Sequence, residues 1–397
     1  MPNQFYDVII VGAGPAGSYA AYELASSGCS VAVLEQKNAP GLDVCCTGII
    51  SNECFDSFDL SPEVVLAKAN SAKFFSPSGR CLKLQREKVQ AYVIDRTSFD
   101  QAIARKAQAR GANLFFSSRV TDIAIGNDKA QVETLHRSSK EIFTARAVIL
   151  ANGFSPKLSR KLGLGEIKHF VIGSQTEVEA RNIDEVEVYF SQQAAPGFFA
   201  WLVPISENKA LAGLLSTSHA TLHLEKFLLS PFCQGRIIGQ GARIRRKAIS
   251  LGVLPRTYGN RMLVIGDAAG QVKPTTGGGI YFGHLGAKIA SEVLREALNS
   301  DDLAAARLSR YQKQWKAKMG REIRLGYWVR RIYAKLSDHQ LERIFSILDS
   351  QGMAEALLSS PNFSFDWHSR LILTGFKYSL VHPLRKAWHL LPWEAGS

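Results

Sequence analysis

Three groups of residues in this chain have the types and spacing to do chemistry. Gly12, Gly14 and Gly17 form a Gly-x-Gly-x-x-Gly array with Pro15 and Ala16 inside it, directly after the apolar run Val8-Ile9-Ile10-Val11. Cys45 and Cys46 are adjacent in a loop punctuated by Gly41 and Gly48. Asp267 follows Gly266 at the end of a second apolar run, Met262-Leu263-Val264-Ile265, and Gly277-Gly278-Gly279 leads into Ile280.

The first group reads as a phosphate cradle. Gly12 permits a tight turn, Gly14 lets the backbone approach a pyrophosphate, and Gly17 lets the following helix pack on the strand. The N-terminus of that helix offers free N–H groups and the positive end of its dipole. Val31-Ala32-Val33-Leu34 reads as the next buried strand and stops at Glu35, placed to accept from a ribose 2′-hydroxyl. An acid there disfavours a 2′-phosphate, so the expected ligand is FAD or NAD rather than NADP. In the third group, Asp267 can point at a ribose or ribityl hydroxyl. The Pro274-Thr275-Thr276-Gly277-Gly278-Gly279 turn then starts a helix whose dipole favours negative charge on whatever lies beyond it. A glycine-rich loop with a capping aspartate is the plainer alternative.

These groups need a scaffold, and the hydrophobic pattern outlines one. Apolar runs of four to six residues at 8–11, 31–34, 147–151 and 262–265 read as buried parallel strands that share a sheet. Asp95-Arg96 opens a helix with apolar residues at 99, 103, 104 and 107, ending before Gly111. Strands are expected at 113–116, 120–125, 131–135 and 141–144, and Ser76-Pro77-Ser78-Gly79-Arg80 reads as a hairpin turn between 72–75 and 81–84. From 168 to 250 the pattern alternates, at 170–178, 186–190, 198–203 and 210–215, which predicts an antiparallel sheet suited to walling a substrate cavity. Helices are expected from about 302 onward. The fold class is therefore α/β: a Rossmann-like nucleotide-binding domain from segments 1–70, 92–165 and 255–300. An antiparallel substrate domain is expected from 71–91 and 166–254, with a helical C-terminal region, 301–397.

Composition bounds the rest. The 397 residues are 46% hydrophobic and 21% charged, which suits a globular chain. No apolar run approaches the roughly 18 residues needed to cross a bilayer, and no cleavable leader is evident. The expectation is a cytoplasmic protein, peripheral to a membrane at most. The six cysteines have neither disulfide-framework nor metal-site spacing, so no metal is expected and the scattered ones read as small buried apolar groups. Net charge is +13, with Lys313, Lys316, Lys318, Arg321, Arg324, Arg330, Arg331 and Lys335 crowded together. That run fits a solvated helix face, an anionic membrane or diphosphate lipid, or an acidic electron carrier such as ferredoxin. No nucleic-acid module accompanies it.

The opening array with Glu35, the Asp95-Arg96-x-x-Phe99-Asp100 helix start and the late Gly266-Asp267 loop resemble the p-hydroxybenzoate-hydroxylase-like flavoproteins. The resemblance implies FAD, with Arg96 near it and the adenosine ribose on Glu35. Within that superfamily, Pro196-Gly197-Phe198-Phe199-Ala200-Trp201-Leu202-Val203-Pro204 resembles the cavity-lining strand of geranylgeranyl reductases, and Cys46-Thr47-Gly48 resembles their loop on the substrate side of the flavin. This implies a polyprenyl substrate lined by Phe199, Trp201 and Pro204, and reduction of isolated C=C bonds by hydride from flavin N5 with an acid protonating the other carbon. Cys46 is the candidate acid and Cys45 the runner-up; packing in the loop is the alternative for both, as core packing is for Trp201. Phe199 stands where the family often has Tyr, and Ile205 replaces a Lys. Asn152-Gly153-Phe154-Ser155 departs from the motif linked with NAD(P)H use, which leaves NADPH and reduced ferredoxin both open as donor. A flavin-dependent monooxygenase or halogenase acting on a small aromatic is the other reading, and a cyclising flavoprotein a third. Residues 371–391 mix aromatic, apolar and basic residues, as either a packed helix or a membrane-interface segment would.

Overall fold

The computed structural model describes residues 5–136, 139–239, 241–350 and 364–369. Its principal sheet has the order Tyr258–Gly259, Met262–Val264, Ser139–Leu150, Phe5–Val11, Val31–Leu34, Asn113–Phe115, with all neighbours parallel except the short first pair. Residues on both faces of its central strands are sealed. Val8, Ile10, Val33, Ile149 and Leu263 face helices Pro15–Ser26, Arg96–Ala109 and Ile280–Asn299; Ile9, Val11, Ala32, Leu34, Val148 and Val264 face the other way. Burial on both faces is why these runs are continuously apolar. Asp95 caps the Arg96–Ala109 helix by accepting from the N–H groups of Thr97 and Ser98, a contribution of about 1 kcal/mol.

Two expected strands, 141–144 and 147–151, are one: Ser139–Leu150 runs unbroken. Its first half pairs antiparallel with Ala130–His136, which pairs with Ser118–Ile125, while its second half lies between Phe5–Val11 and Met262–Val264. The pattern changes character midway because the first half is exposed and the second half buried.

The second sheet has the order Arg245–Ser250, Phe170–Glu179, Lys209–Ser216, Ala200–Ser206, Val186–Tyr189, Ser71–Phe75, Cys81–Gln85. It is antiparallel apart from the pairing of Val186–Tyr189 with Ser71–Phe75. Side chains alternate across it with period two. Ala200, Leu202, Ala212, Leu214 and Tyr189 pack beneath helix Ala220–Leu228. Phe199, Trp201, Val203 and Leu215 form the opposite face. A third sheet of Ile49–Ser51, Ala91–Ile94 and Val65–Ala69 joins the two; the weakly patterned 65–69 segment carried no strand signal in the sequence. Helices Ala305–Trp315 and Arg321–Tyr333, linked by a π-helical turn at Lys316–Gly320, and helix Asp338–Ser350 follow. The 371–391 segment lies outside the described residues. All six cysteines are free, but Cys81 is exposed and Cys29 half-buried, so burial holds only for Cys45, Cys54 and Cys233 among the scattered and paired residues together.

Candidate active site

The sheets enclose a cavity of about 1510 Å³. Gly12, Gly14, Pro15, Ala16 and Glu35 line it, as do Cys45, Cys46, Arg96, Gly266, Asp267, Gly277, Gly278, Gly279, Ile280, Phe199 and Trp201. Gly17 and Pro204 do not. Gly17 sits behind the turn, where a Cβ would collide with the Gly12 carbonyl oxygen, so its lack of a side chain serves helix–strand packing. Pro204 lies in the strand Ala200–Ser206, paired with Ala210.

The glycine turn has the form of a phosphate cradle. Gly12 has φ +103, and a Cβ on it would sit 2.7 Å from the Ala151 carbonyl oxygen. A Cβ on Gly14 would meet nothing within 4 Å, so the cavity side of the turn is open to a ligand. Helix Pro15–Ser26 has no side-chain cap, which leaves its first N–H groups for an anion. Glu35 closes the unit: its Oε2 accepts from Ala13 N–H at 2.8 Å and its Oε1 from Lys37 N–H at 2.9 Å. Each carboxylate oxygen keeps a further lone pair for a ribose hydroxyl. These features fit the adenosine diphosphate half of FAD.

The opposite end is built by the late glycine loop. Helix Ile280–Asn299 also begins without a side-chain cap. Asp267 Oδ1 would lie 2.7 Å from a Cβ on Gly279, so only glycine lets the loop pass the carboxylate. Asp267 Oδ2 lies 2.7 Å from Nζ of Lys247, a residue absent from the sequence-derived site. Lys247 comes from the edge strand of the second sheet, and the Asp267 charge beside it holds its pKa above the usual lysine range. An uncapped helix, a glycine loop and a cation converge there, which suits the electron-rich edge of a flavin ring.

The two cysteines have opposite surroundings. Cys45 is buried with its Sγ 3.5 Å from the Arg245 carbonyl oxygen and 3.8 Å from that of Gly173; burial pushes its thiol up to about 12. Cys46 lines the cavity half-exposed, and its Sγ accepts from Gly48 N–H at 3.4 Å. Arg96 reaches the same thiol while forking onto Asp100, with Nε–Oδ1 at 3.0 Å and Nη2–Oδ2 at 2.9 Å. Arg96 is desolvated, yet the Asp100 charge and the Cys46 sulfur raise its pKa. Gln175 donates from Nε2 to the Cys46 carbonyl oxygen at 3.1 Å, and its buried Oε1 has no hydrogen-bond partner. Gln175 pairs with Gly213, which pairs with Trp201, so the indole lies over a bare glycine next to Cys46's support. Trp201 thus lines the cavity while remaining buried in the apolar face of the sheet.

Residues 6–194 match the pyridine nucleotide-disulphide oxidoreductase family model. The chain is 30% identical over 87% of its length to the digeranylgeranylglycerophospholipid reductase of Methanocaldococcus jannaschii, of which it covers 91%. It belongs to the geranylgeranyl reductase family of FAD-dependent oxidoreductases. The fold of this family member superposes with a TM-score of 0.85 on a geranylgeranyl bacteriochlorophyll reductase-like protein from Thermoplasma acidophilum, at 23% identity over 98% of this chain and all of that one. The flavin-dependent halogenase CmlS shares the fold at a TM-score of 0.67 and 17% identity, covering 96% of this chain and 78% of the halogenase.

Sequence reasoning missed Lys247 and Gln175 in this reductase. Lys247 ends the run Arg245-Arg246-Lys247, which reads as surface charge, and Gln175 sits in a strand with no motif around it. Only the pairing of Arg245–Ser250 with Phe170–Glu179 brings them beside Cys46 and Asp267. No helix among the described residues is long and apolar enough to cross a membrane. No cluster of metal-ligating side chains occurs among them either.

Proposed function

We propose that this reductase saturates isolated C=C bonds in the geranylgeranyl-type chain of a lipid. The observation that carries the reading is the continuity of the cavity: glycine turns at one end, an aromatic and aliphatic wall of Phe199, Trp201, Val203 and Leu215 at the other, and Cys46 where they meet. Gly12, Gly14, Pro15, Ala16 and Glu35 would hold the adenosine diphosphate half of FAD, and Gly266, Asp267, Gly277, Gly278, Gly279 and Ile280 the flavin half. Reduced FAD, when bound, supplies the hydride.

The chain's own residues do the rest. An alkene has no polar group to grip, so Trp201 and Phe199 orient it by shape and exclude water. Cys46 Sγ–H gives its proton to the carbon opposite the one that gains hydride. The thiolate left behind faces Arg96 and Lys247, whose positive charges stabilise it until it is reprotonated from solvent. Cys45, held neutral by burial, positions the loop through its two carbonyl contacts.

The segments 1–70, 92–165 and 255–300 would then form the FAD-binding unit, 71–91 with 166–254 the substrate unit, and 301–397 a helical C-terminal region, of which 351–363 and 370–397 lie outside the described residues. NADPH or a reduced ferredoxin would supply electrons. The exposed basic residues from 313 to 335 support an acidic carrier, and with exposed Trp328 they support peripheral contact with an anionic membrane from the cytoplasmic side.

The test is anaerobic. Purified protein is loaded with FAD, reduced with dithionite and mixed with geranylgeranyl lipids. Flavin reoxidation with a product heavier by two hydrogens per reduced bond is expected. Reoxidation that needs oxygen and an aromatic substrate would replace the reading with a monooxygenase or halogenase.

A further inference from the structure

Of the basic run between 313 and 335, Lys313, Lys316, Lys318, Arg321, Arg324, Arg331 and Lys335 are exposed, as a solvated face requires. Arg330 is not. It is 6% exposed and lines the cavity together with Tyr333. No carboxylate pairs with it among the described residues, and its Nε is buried without a hydrogen-bond partner. Burial accordingly pulls its pKa below the usual arginine range, with only Tyr333 and Tyr327 opposing. An uncompensated guanidinium in a low-dielectric wall is costly to maintain, and an anion arriving from the cavity would offset that cost.

The surroundings hold this side chain in place. The guanidinium carbon lies 4.6 Å over the Phe198 ring centroid. Tyr333, one turn on, donates its hydroxyl to the Phe198 carbonyl oxygen at 2.6 Å. Gln192 ties the same loop down, accepting from Gly197 N–H at 2.6 Å and donating to the Tyr333 carbonyl oxygen at 3.3 Å. Gly197 has φ +72, and a Cβ there would stand 3.8 Å from Arg330 Nη2, so the backbone passes close by the charge.

Position decides what the charge could serve. Phe198 and Phe199 lead into Ala200–Ser206, which is two strands from Phe170–Glu179, where Gln175 supports Cys46, and three from Arg245–Ser250, which carries Lys247. At about 4.8 Å per strand, the strand that Phe198 leads into lies roughly 10–14 Å across the aromatic wall from the strands that carry Gln175 and Lys247, and Arg330 stacks on Phe198 just before its start. A hydrophobic chain laid along Trp201 and Phe199 with its alkene at Cys46 would present its head to Arg330.

We propose that Arg330 is the receptor for a phosphate or diphosphate ester at the head of the isoprenoid substrate. Arginine's planar fork matches phosphate oxygens in pairs, and the Phe198 ring keeps the fork oriented. The inference rests on the isoprenoid-reductase reading and adds the charge and location of the head group. Its test uses the FAD-loaded protein and three ligands with the same chain: geranylgeranyl diphosphate, a geranylgeranylglycerol phosphate and geranylgeraniol. Dissociation constants are measured for the wild type, Arg330→Lys and Arg330→Gln, with retained FAD and an unchanged melting temperature as evidence of folding. The wild type is expected to bind at least one phosphorylated ligand tenfold or more tightly than the alcohol, and the better of the two identifies an isoprenyl diphosphate or a phospholipid head as the source. In Arg330→Gln that ratio should collapse toward one, and in Arg330→Lys it should fall between. A ratio that survives in Arg330→Gln, or a wild type indifferent to phosphate, overturns this proposal alone. Failure of the wild type to bind or reduce any of the three removes the underlying reading as well.

Discussion

Cys45 and Cys46 share a peptide bond, yet the Cys45 thiol is turned toward two backbone carbonyls while Cys46 opens on the cavity beside Arg96. In the proposed chemistry a proton donor must open on the cavity and leave a tolerable anion, and the surroundings of Cys46 favour it over Cys45. Replacing it, Cys46→Ser, raises the acid's pKa far above that of a thiol. The variant is expected to keep FAD and to reduce alkene about 100-fold more slowly, within the usual range for losing a general acid; single-turnover reoxidation of reduced flavin measures it, and an unchanged rate would remove Cys46 from the chemistry. A second residue makes a prediction about pH. His284 is buried between the rings of Tyr19 and Phe58, at 4.0 and 4.3 Å, with Nδ1 unpaired. Burial, helped by Lys288, depresses its pKa from 6.5 to about 4. Above pH 6.5 the imidazole is neutral folded or unfolded, so it contributes no pH dependence there. As pH falls from 6.5 to 4 only the unfolded chain takes up the proton, and stability drops by up to about 3 kcal/mol. His284→Phe should flatten that part of the stability profile in denaturant titrations across this range. An unchanged slope would show that other groups cause it.

At the level of elements, the strand Lys209–Ser216 shows how a small residue shapes a cavity. Gly213 lies across from Trp201, and a Cβ on it would come within 2.6 Å of the indole. Gly213→Ala therefore has to push the ring off the sheet, at a cost of about 1–3 kcal/mol. The expected kinetic result is a several-fold rise in KM for the lipid with FAD affinity intact, because the glycine turns lie on other elements. Loss of FAD instead would show that the indole supports the cofactor. The nucleotide-binding elements were legible in advance for a physical reason: a strand, a glycine turn and the helix it opens are contiguous, and their hydrogen bonds and packing are local. The Ile49–Ser51, Val65–Ala69 and Ala91–Ile94 sheet was not, since its strands are short, Val65–Ala69 alternates only between half-buried and exposed, and no turn signal joins them.

Across the whole molecule, long-range ion pairs tie the sheets into one cavity. Lys247 reaches from the second sheet to Asp267 beside the first. Lys273, after the Gly266 turn, holds Asp366 at 2.6 Å, with both side chains buried, and Ser51 donates to the same carboxylate. Asp366→Ala would strand the Lys273 charge and is expected to cost about 3–5 kcal/mol in urea unfolding. The double variant Asp366→Ala with Lys273→Met should recover most of that loss, and no recovery would show that packing of residues 364–369, not charge, is what the pair secures. What the amino-acid order determined unaided was the dinucleotide cradle at Gly12–Gly17 with Glu35 and the glycine loop after Gly266, because each is written in consecutive residues. Tertiary structure alone decided which charges belong to the site. Lys247 and Arg330 stand in basic runs that look like solvated surface; only the meeting of two sheets sets Lys247 against Asp267, and only helix packing takes Arg330 out of water while its basic neighbours stay in it.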